Sequence, residues 1–516
     1  MSYKLKSLLA LSAFTALSFS AYSQDKATIT LMPSEDSPII EKEIYGQFSE
    51  HLGTCIYGGL WVGEDSEIPN INGYRLDVFN ALKELHVPVL RWPGGCFADE
   101  YHWRNGIGPR SERPTMVNSN WGGTVEDNSF GTNEFFNLCE MLECEPYLCG
   151  NVGSGTVEEL AQWVEYITAE SGPMAELRKK NGREKPWKLK YLGVGNESWG
   201  CGGNFTPEYY SDVYRRYQTY CREFNGNRLY KIASGASDYD YKWTEVMMKN
   251  AGRFMNGISL HYYTVEDWSN KGSATEFDNE TYYKTLLKCL GIEEVVRKHC
   301  DIMNRYDPRK RVGLLVDEWG TWFDEEPGTI KGHLFQQNTM RDAMVAALSL
   351  NIFHTFADRV KMTNIAQIAN VLQAMVLTDG KEMVLTPTYY VFKMYVPHQG
   401  GKLIPCEINS PAAAVFNTQA VPAVSATASE KDGVVSVSLT NTDLEKDIEV
   451  VVDLNGLNSK NISGEILTAP SISSYNKFGS PEKVTLKNFD SKNWKLKDGK
   501  LIVSLPSKSI VTLSLK

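Results

Sequence analysis

The 516-residue chain has no excess of basic charge: 53 Lys and Arg stand against 63 Asp and Glu, a net charge of −10. Phosphate-backbone binding needs a basic footprint, so no nucleic-acid partner is expected. No apolar run reaches membrane length, and no membrane span is expected. The ten Cys contain no CxxC pair, which removes the zinc-knuckle and thioredoxin spacings. The eight His show no HExxH or other metal spacing, so no metal is expected. No GxGxxG follows the first strand-like run, which argues against a dinucleotide site. No Ser/Gly-rich linker interrupts the chain, so its domains are expected to share a fixed interface.

What is present is the composition of a folded globular protein, 42% hydrophobic and 22% charged. Residues 1–23 read as a secretory signal. Lys4 and Lys6 form the charged start, an apolar run extends from Leu8 to about Leu17, and Ala21 and Ser23 supply small residues before Gln24. The expectation is an exported protein, periplasmic or extracellular. A chain this long does not need disulfide staples, and several Cys sit in apolar stretches that suit buried thiols.

From about residue 41 to 395, strand-like apolar runs alternate with amphipathic helical runs. The strand-like runs cover residues 43–50, 87–93, 145–152, 188–197, 230–235, 257–262, 312–318 and 360–367. Thr156 with Glu159 forms a capping-box signature, and Thr206-Pro207-Glu208 opens another helix. Eight successive strand–helix units predict a (β/α)₈ barrel. An open doubly wound sheet is the competing α/β arrangement. Beyond about residue 396 the helical period stops and alternating runs begin, among them Val435–Leu439 and Ile448/Val450/Val452, punctuated by Asp432-Gly433 and Asp498-Gly499. This predicts a C-terminal antiparallel β-sandwich over residues 396–516, with residues 24–40 supplying a strand to it.

In such a barrel the polar residues that end the strands converge on one mouth. The strand ends read Glu50-His51, Arg91-Trp92-Pro93-Gly94-Gly95, Asn196-Glu197, His261-Tyr262-Tyr263 and Asp317-Glu318-Trp319. A lone Glu after a strand is more often a helix cap or salt-bridge partner. Two carboxylates on the fourth and seventh strands face one another across the mouth, as retaining glycoside hydrolysis requires. Side-chain alternation places Asp317 on the face opposite Glu318.

The stretches YGQFSEHLG, LRWPGGCFADEYHW, YLGVGNESWGCGG, LHYYT, VDEWGTW and NIAQIANVLQAM lie in order between residues 45 and 375. Together they resemble the family 51 α-L-arabinofuranosidases of the retaining-glycosidase clan. The resemblance implies an exo-acting enzyme that removes arabinofuranosyl groups from plant cell-wall arabinan, arabinoxylan or derived oligosaccharides, with no cofactor. It implies Glu197 as acid/base and Glu318 as nucleophile. Asn196 would bond the sugar 2-hydroxyl, Glu50 the furanose hydroxyls, Arg91 and Tyr263 the nucleophile region with His261 nearby, and Gln367 would close the site. Trp319 and Trp322 are candidates for packing on the sugar. Where some relatives carry Asn, this chain has Cys96, either a pocket residue or a disulfide partner. Relatives of this kind are often multimers, so a homo-oligomer is compatible. An endoglucanase or xylosidase on the same scaffold is the alternative activity, and a noncatalytic carbohydrate-binding barrel the alternative class.

Overall fold

The computed structural model describes residues 26–457 and 461–516. Strand β1 (Lys26–Leu31) comes first. Eight parallel strands then close into a barrel: β2 (Gly46–Phe48), β3 (Val89–Trp92), β4 (Glu145–Gly150), β5 (Tyr191–Val194), β6 (Tyr230–Ser237), β7 (Gly257–Thr264), β8 (Gly313–Thr321) and β9 (Val360–Ala366). β9 pairs with β2 through Asn364–Gly46, Ile365–Gln47 and Ala366–Phe48, which completes the ring. Strands covered on both faces need continuous apolar sequence, which is why these runs do not alternate. Inside the barrel, Val89, Tyr147, Tyr191, Ile232, Leu315 and Met362 form one packed cluster. The open doubly wound alternative is excluded by closure. The first strand is shorter than its apolar run: Lys42–Tyr45 forms a 3-10 turn, and Glu43 there accepts a hydrogen bond from the Tyr191 hydroxyl.

The helices are α1 (Leu76–Glu84), α2 (Thr132–Leu142), α3 (Val157–Thr168), α4 (Pro173–Lys180), α5 (Pro207–Tyr220), α6 (Tyr241–Ala251), α7 (Asn279–Tyr306), α8 (Met340–Thr355) and α9 (Pro387–Tyr395). Thr156 and Thr206 cap α3 and α5 by accepting from the backbone N–H of Glu159 and Tyr209. The Glu159 carboxylate does not complete a capping box; it bonds His102 Nδ1 at 2.9 Å instead. α8 is buried on nearly every face because it lies between the barrel and the C-terminal sheets. That position explains its apolar sequence all round.

The C-terminal strands are β10 (Lys402–Ile404), β11 (Cys406–Asn409), β12 (Val424–Lys431), β13 (Val434–Asn441), β14 (Ile448–Asp453), β15 (Ile462–Thr468), β16 (Lys487–Asn488), β17 (Trp494–Lys497), β18 (Lys500–Leu505) and β19 (Ser509–Leu515). They form two sheets, ordered β10-β12-β13-β19-β15-β16 and β11-β1-β14-β18-β17. Their inner faces share a core that includes Ile29, Val437, Val450, Val503 and Leu513. All pairings are antiparallel except β1 with β14, which run parallel. A segment entering from before the barrel is not bound by the hairpin connections that make its neighbours antiparallel. Among the described residues, no helix is long and apolar enough to cross a membrane.

Candidate active site

Glu318 leaves β8 at the C-terminal mouth of the barrel and is 7% exposed. Arg91, from β3, donates to its Oε1 at 2.8 Å, and the Tyr263 hydroxyl, from β7, donates to its Oε2 at 2.9 Å. His261 Nδ1 stands 3.5 Å from Oε2. Asp317 was expected to point the other way, and the structure corrects this. The β8–β9 register slips between Val316 and Trp319, so β8 carries an extra residue there. Such a bulge breaks alternation. Asp317 therefore also reaches the interior. It accepts from the Tyr147 hydroxyl at 2.6 Å and lies 3.6 Å from Arg91 Nε and 3.2 Å from His261 Nε2. Burial opposes ionisation of Asp317, but Arg91 and His261 outweigh it and hold its carboxyl below the usual range.

Glu197 follows β5 in left-handed backbone, φ 37°, which costs strain for a non-glycine residue. Its Oε1 lies 2.8 Å from His261 Nδ1. Burial pushes its carboxyl above the usual carboxylate range, Glu318's negative charge adds to the rise, and His261 opposes it. Burial also disfavours the charged form of His261. The surrounding Glu318, Asp317 and Glu197 prevail and hold His261 well above the usual imidazole range. The acceptor atoms of Glu197, His261 and Glu318 lie within 4.8 Å of one another. Beside Glu197, the Asn196 Oδ1 accepts from Arg91 at 2.6 Å, which leaves the amide N–H₂ aimed elsewhere as donor.

Glu50 faces this pair from the end of β2. Its Oε1 accepts from the backbone N–H of Gly95 and Phe97 and from Trp121 Nε1, and its Oε2 accepts from Gln367 Nε2. Burial, then the charge of Glu318, lift its carboxyl to about 7 against those donors. The Gly94-Gly95 pair permits this crowding. A Cβ on Gly95 would lie 2.9 Å from Glu318 Oε1, and one on Gly94 would lie 2.6 Å from Glu50 Cγ.

Trp322 stands at the mouth with ring centroids 5.1 Å from Tyr263 and 5.4 Å from Trp268, whose side is half exposed. Trp319 does not. It turns outward from the barrel, 1% exposed, packs on Phe353 and Phe392, and donates to Thr363 Oγ1. The sugar-packing expectation for Trp319 is therefore corrected: after the bulge, its place on the strand faces the helices. Cys96 is disulfide-bonded to Cys201, and both sulfurs lie beside Glu197 Oε2, at 3.9 and 3.6 Å.

Matches with known proteins identify the family. Residues 81–281 match the model of the α-L-arabinofuranosidase 1 domain, and residues 317–509 that of the α-L-arabinofuranosidase C-terminal domain. The chain is 63% identical, over 99% of both chains, to a Bacteroides ovatus protein named intracellular exo-α-L-arabinofuranosidase. The chain belongs to glycoside hydrolase family 51, the α-L-arabinofuranosidases. A solved family 51 arabinofuranosidase from Xanthomonas axonopodis pv. citri superimposes with a TM-score of 0.93 at 49% identity, covering 95% of this chain and 100% of that one. The Thermotoga maritima enzyme, solved as an arabinose complex, gives 0.82 at 28% identity, covering 95% and 99%.

These matches also overturn the exported location. The Bacteroides ovatus relative is named intracellular although the match spans nearly the whole of both chains. Residues 1–23, on which the export reading rested, lie outside the described residues. That reading used only charge, a short apolar run and small residues, features that describe a stretch of sequence without deciding its destination.

In this family 51 chain the structure gathers Glu50, Arg91, Cys96, Asn196, Glu197, His261, Tyr263, Glu318, Trp322 and Gln367 at one mouth and excludes Trp319. Strand-end reasoning missed Asp99 and Trp121, which lie in the segments after β3. Asp99 accepts from the backbone N–H of Val152, Gly153 and Asn196, tying three strand ends together, and burial lifts its carboxyl to about 7. The sequence signal for Asp99 is its membership of the motif LRWPGGCFADEYHW, which begins at Leu90; Trp121 lies beyond the end of that motif and carries no such signal.

Proposed function

We propose that the chain is a retaining, exo-acting α-L-arabinofuranosidase, with Glu318 as nucleophile and Glu197 as acid/base. The observation that carries this reading is the pair of carboxylate oxygens, one from each residue, within 4.8 Å of each other. Retaining glycosidases hold their two carboxyl groups roughly 5 Å apart, whereas inverting ones leave roughly 6.5 Å or more for a water. Activity on terminal arabinofuranosyl groups is supported by the name and 63% identity of the Bacteroides ovatus relative.

Glu318 attacks the anomeric carbon of a terminal arabinofuranose while Glu197 donates its proton to the departing glycosidic oxygen. Glu197 suits the donor role because burial keeps it protonated into a higher pH range. The covalent glycosyl–Glu318 ester then meets a water that Glu197, now ionised, deprotonates. Arg91 and Tyr263 each hold one oxygen of Glu318, fixing its line of attack. The Asn196 amide donates to the 2-hydroxyl, and Glu50 with Gln367 receives the remaining hydroxyls. The substrates proposed are arabinose-bearing plant cell-wall polysaccharides and their oligosaccharides, with no cofactor taking part.

Replacing Glu318 with Ala is expected to lower turnover of an aryl arabinofuranoside by about 10⁴-fold or more. Glu197→Ala is expected to spare good leaving groups, and azide is expected to restore turnover with retained configuration, read by NMR of the glycosyl azide. Equal loss for good and poor leaving groups, or an azide product of inverted configuration, contradicts the assignment.

A further inference from the structure

Cys201 is not used by the hydrolytic reaction, yet its sulfur is the nearest one to Glu197. It occupies the loop Gly200-Cys201-Gly202-Gly203 after β5, is exposed, and closes a disulfide to Cys96 with a Cα–Cα distance of 5.5 Å. Glu197 Oε2 lies 3.6 Å from Cys201 Sγ and 3.9 Å from Cys96 Sγ. In a tetrahedral zinc site with Zn–S of about 2.3 Å and Zn–O of about 2.0 Å, a sulfur and an oxygen ligand stand about 3.5 Å apart. Two sulfurs in such a site stand about 3.8 Å apart. The two sulfur–oxygen edges are therefore nearly in place. The sulfur–sulfur edge needs only the disulfide to open. The other eight Cys lack this arrangement: seven are buried, Cys406 is partly so, and among the described residues no other group of Cys, His and carboxylate except Glu197–His261–Glu318 converges this closely.

We propose that reduction of Cys96–Cys201 creates a binding site for a thiophilic divalent cation of the zinc class, held by Cys96, Cys201 and the Glu197 carboxylate. A thiol reductant attacks the exposed Cys201 sulfur and forms a mixed disulfide, and Cys96 leaves as a thiolate that takes a proton. A second reductant thiol resolves the mixed disulfide. Two reductant thiols end as one disulfide, and their two hydrogens end on Cys96 and Cys201. The cation displaces both thiol protons to solvent, binds two thiolates and Glu197 Oε2, and takes water in its fourth position. A cation there occupies the oxygen that would carry the proton, so it stops turnover; this last consequence rests on Glu197 being the acid/base. The intact disulfide offers no thiolate and leaves the enzyme indifferent to the cation.

The test uses the full-length protein in two forms, as oxidised and after dithiothreitol removed by anaerobic gel filtration. Co²⁺ and Zn²⁺ are the probes. The expected result is one Co²⁺ per chain with an intense thiolate charge-transfer absorption, in the reduced form only and displaced by Zn²⁺. Cys201→Ser is expected to abolish that absorption, and Glu197→Gln to weaken Co²⁺ binding at least tenfold. Zn²⁺ is expected to lower turnover of an aryl arabinofuranoside at least tenfold in the reduced enzyme and to leave the oxidised enzyme unchanged. Absence of the absorption in the reduced wild type, or its survival in Cys201→Ser, overturns the site. The absorption together with unchanged turnover supports the site and instead overturns the role given to Glu197.

Discussion

His261 shows how a single side chain sets the chemistry of two others. It touches Glu197, Asp317 and Glu318 at once, and its positive charge is kept by those three carboxylates against burial. Its presence lowers the Glu197 carboxyl, whose net position is still above the ordinary range. Removing that cation lets burial and Glu318 raise Glu197 further. Since Glu197 works protonated, the basic limb of kcat/KM is expected to move up, by about one pH unit, in His261→Gln. The measurement is a pH profile with a poor leaving group, where protonation matters most. A limb that stays in place or moves down contradicts the coupling. kcat is expected to fall as well, because Glu318 loses a neighbour that faces its Oε2.

At the scale of elements, the site is assembled by approach of backbone as much as by side chains. The turn after β3 brings Gly94 and Gly95 under Glu50 and Glu318, and no larger residue fits without moving a carboxylate. Gly95 has φ −89°, so its need is for space and not for left-handed backbone. Gly95→Ala is expected to lower kcat/KM by about 100-fold through displacement of Glu318, with the urea midpoint little changed. A mutant of near-normal rate shows that Glu318 is not held where the structure has it. The bulge in β8 works similarly. By adding one residue between Val316 and Trp319, it lets consecutive acids share Arg91 and sends Trp319 to the helix layer. Alternation cannot reveal this, because a bulge arises from the fit of β8 to its neighbours.

At the scale of the whole molecule, the seam between barrel and sandwich carries buried neutral imidazoles. His354 bonds the Tyr45 hydroxyl and Thr427, and His398 bonds Ser429 and Ser438. Burial depresses both, His398 to about 3, and His299 behind the barrel falls to about 4. A His with a depressed folded pKa takes up its proton more readily when unfolded. Unfolding therefore gains protons as pH falls below the ordinary imidazole value of about 6.5, and stability declines from there downwards. His398 alone is expected to contribute a loss of about 3 kcal/mol between pH 7 and pH 4. Urea unfolding followed across that range checks this, and His398→Gln is expected to flatten the curve while lowering the pH 7 midpoint. A wild-type midpoint independent of pH over that range contradicts the neutral buried state.

The order and period of apolar residues determined the barrel, its eight strands and the sheet domain after it, because burial on two faces, on one face or on one stripe leaves different patterns in a chain. The same patterns placed Glu50, Arg91, Asn196, Glu197, His261 and Glu318 at strand ends, where a closed barrel must bring them together. What only the tertiary structure decided is whatever depends on neighbours far along the chain. This covers the bulge that turns Asp317 inward and Trp319 outward, the tie that Asp99 makes between three strand ends, the partner of Cys96, and the shift of each carboxyl. These follow from distances across the barrel mouth, and no local rule of sequence carries a distance between residues one hundred positions apart.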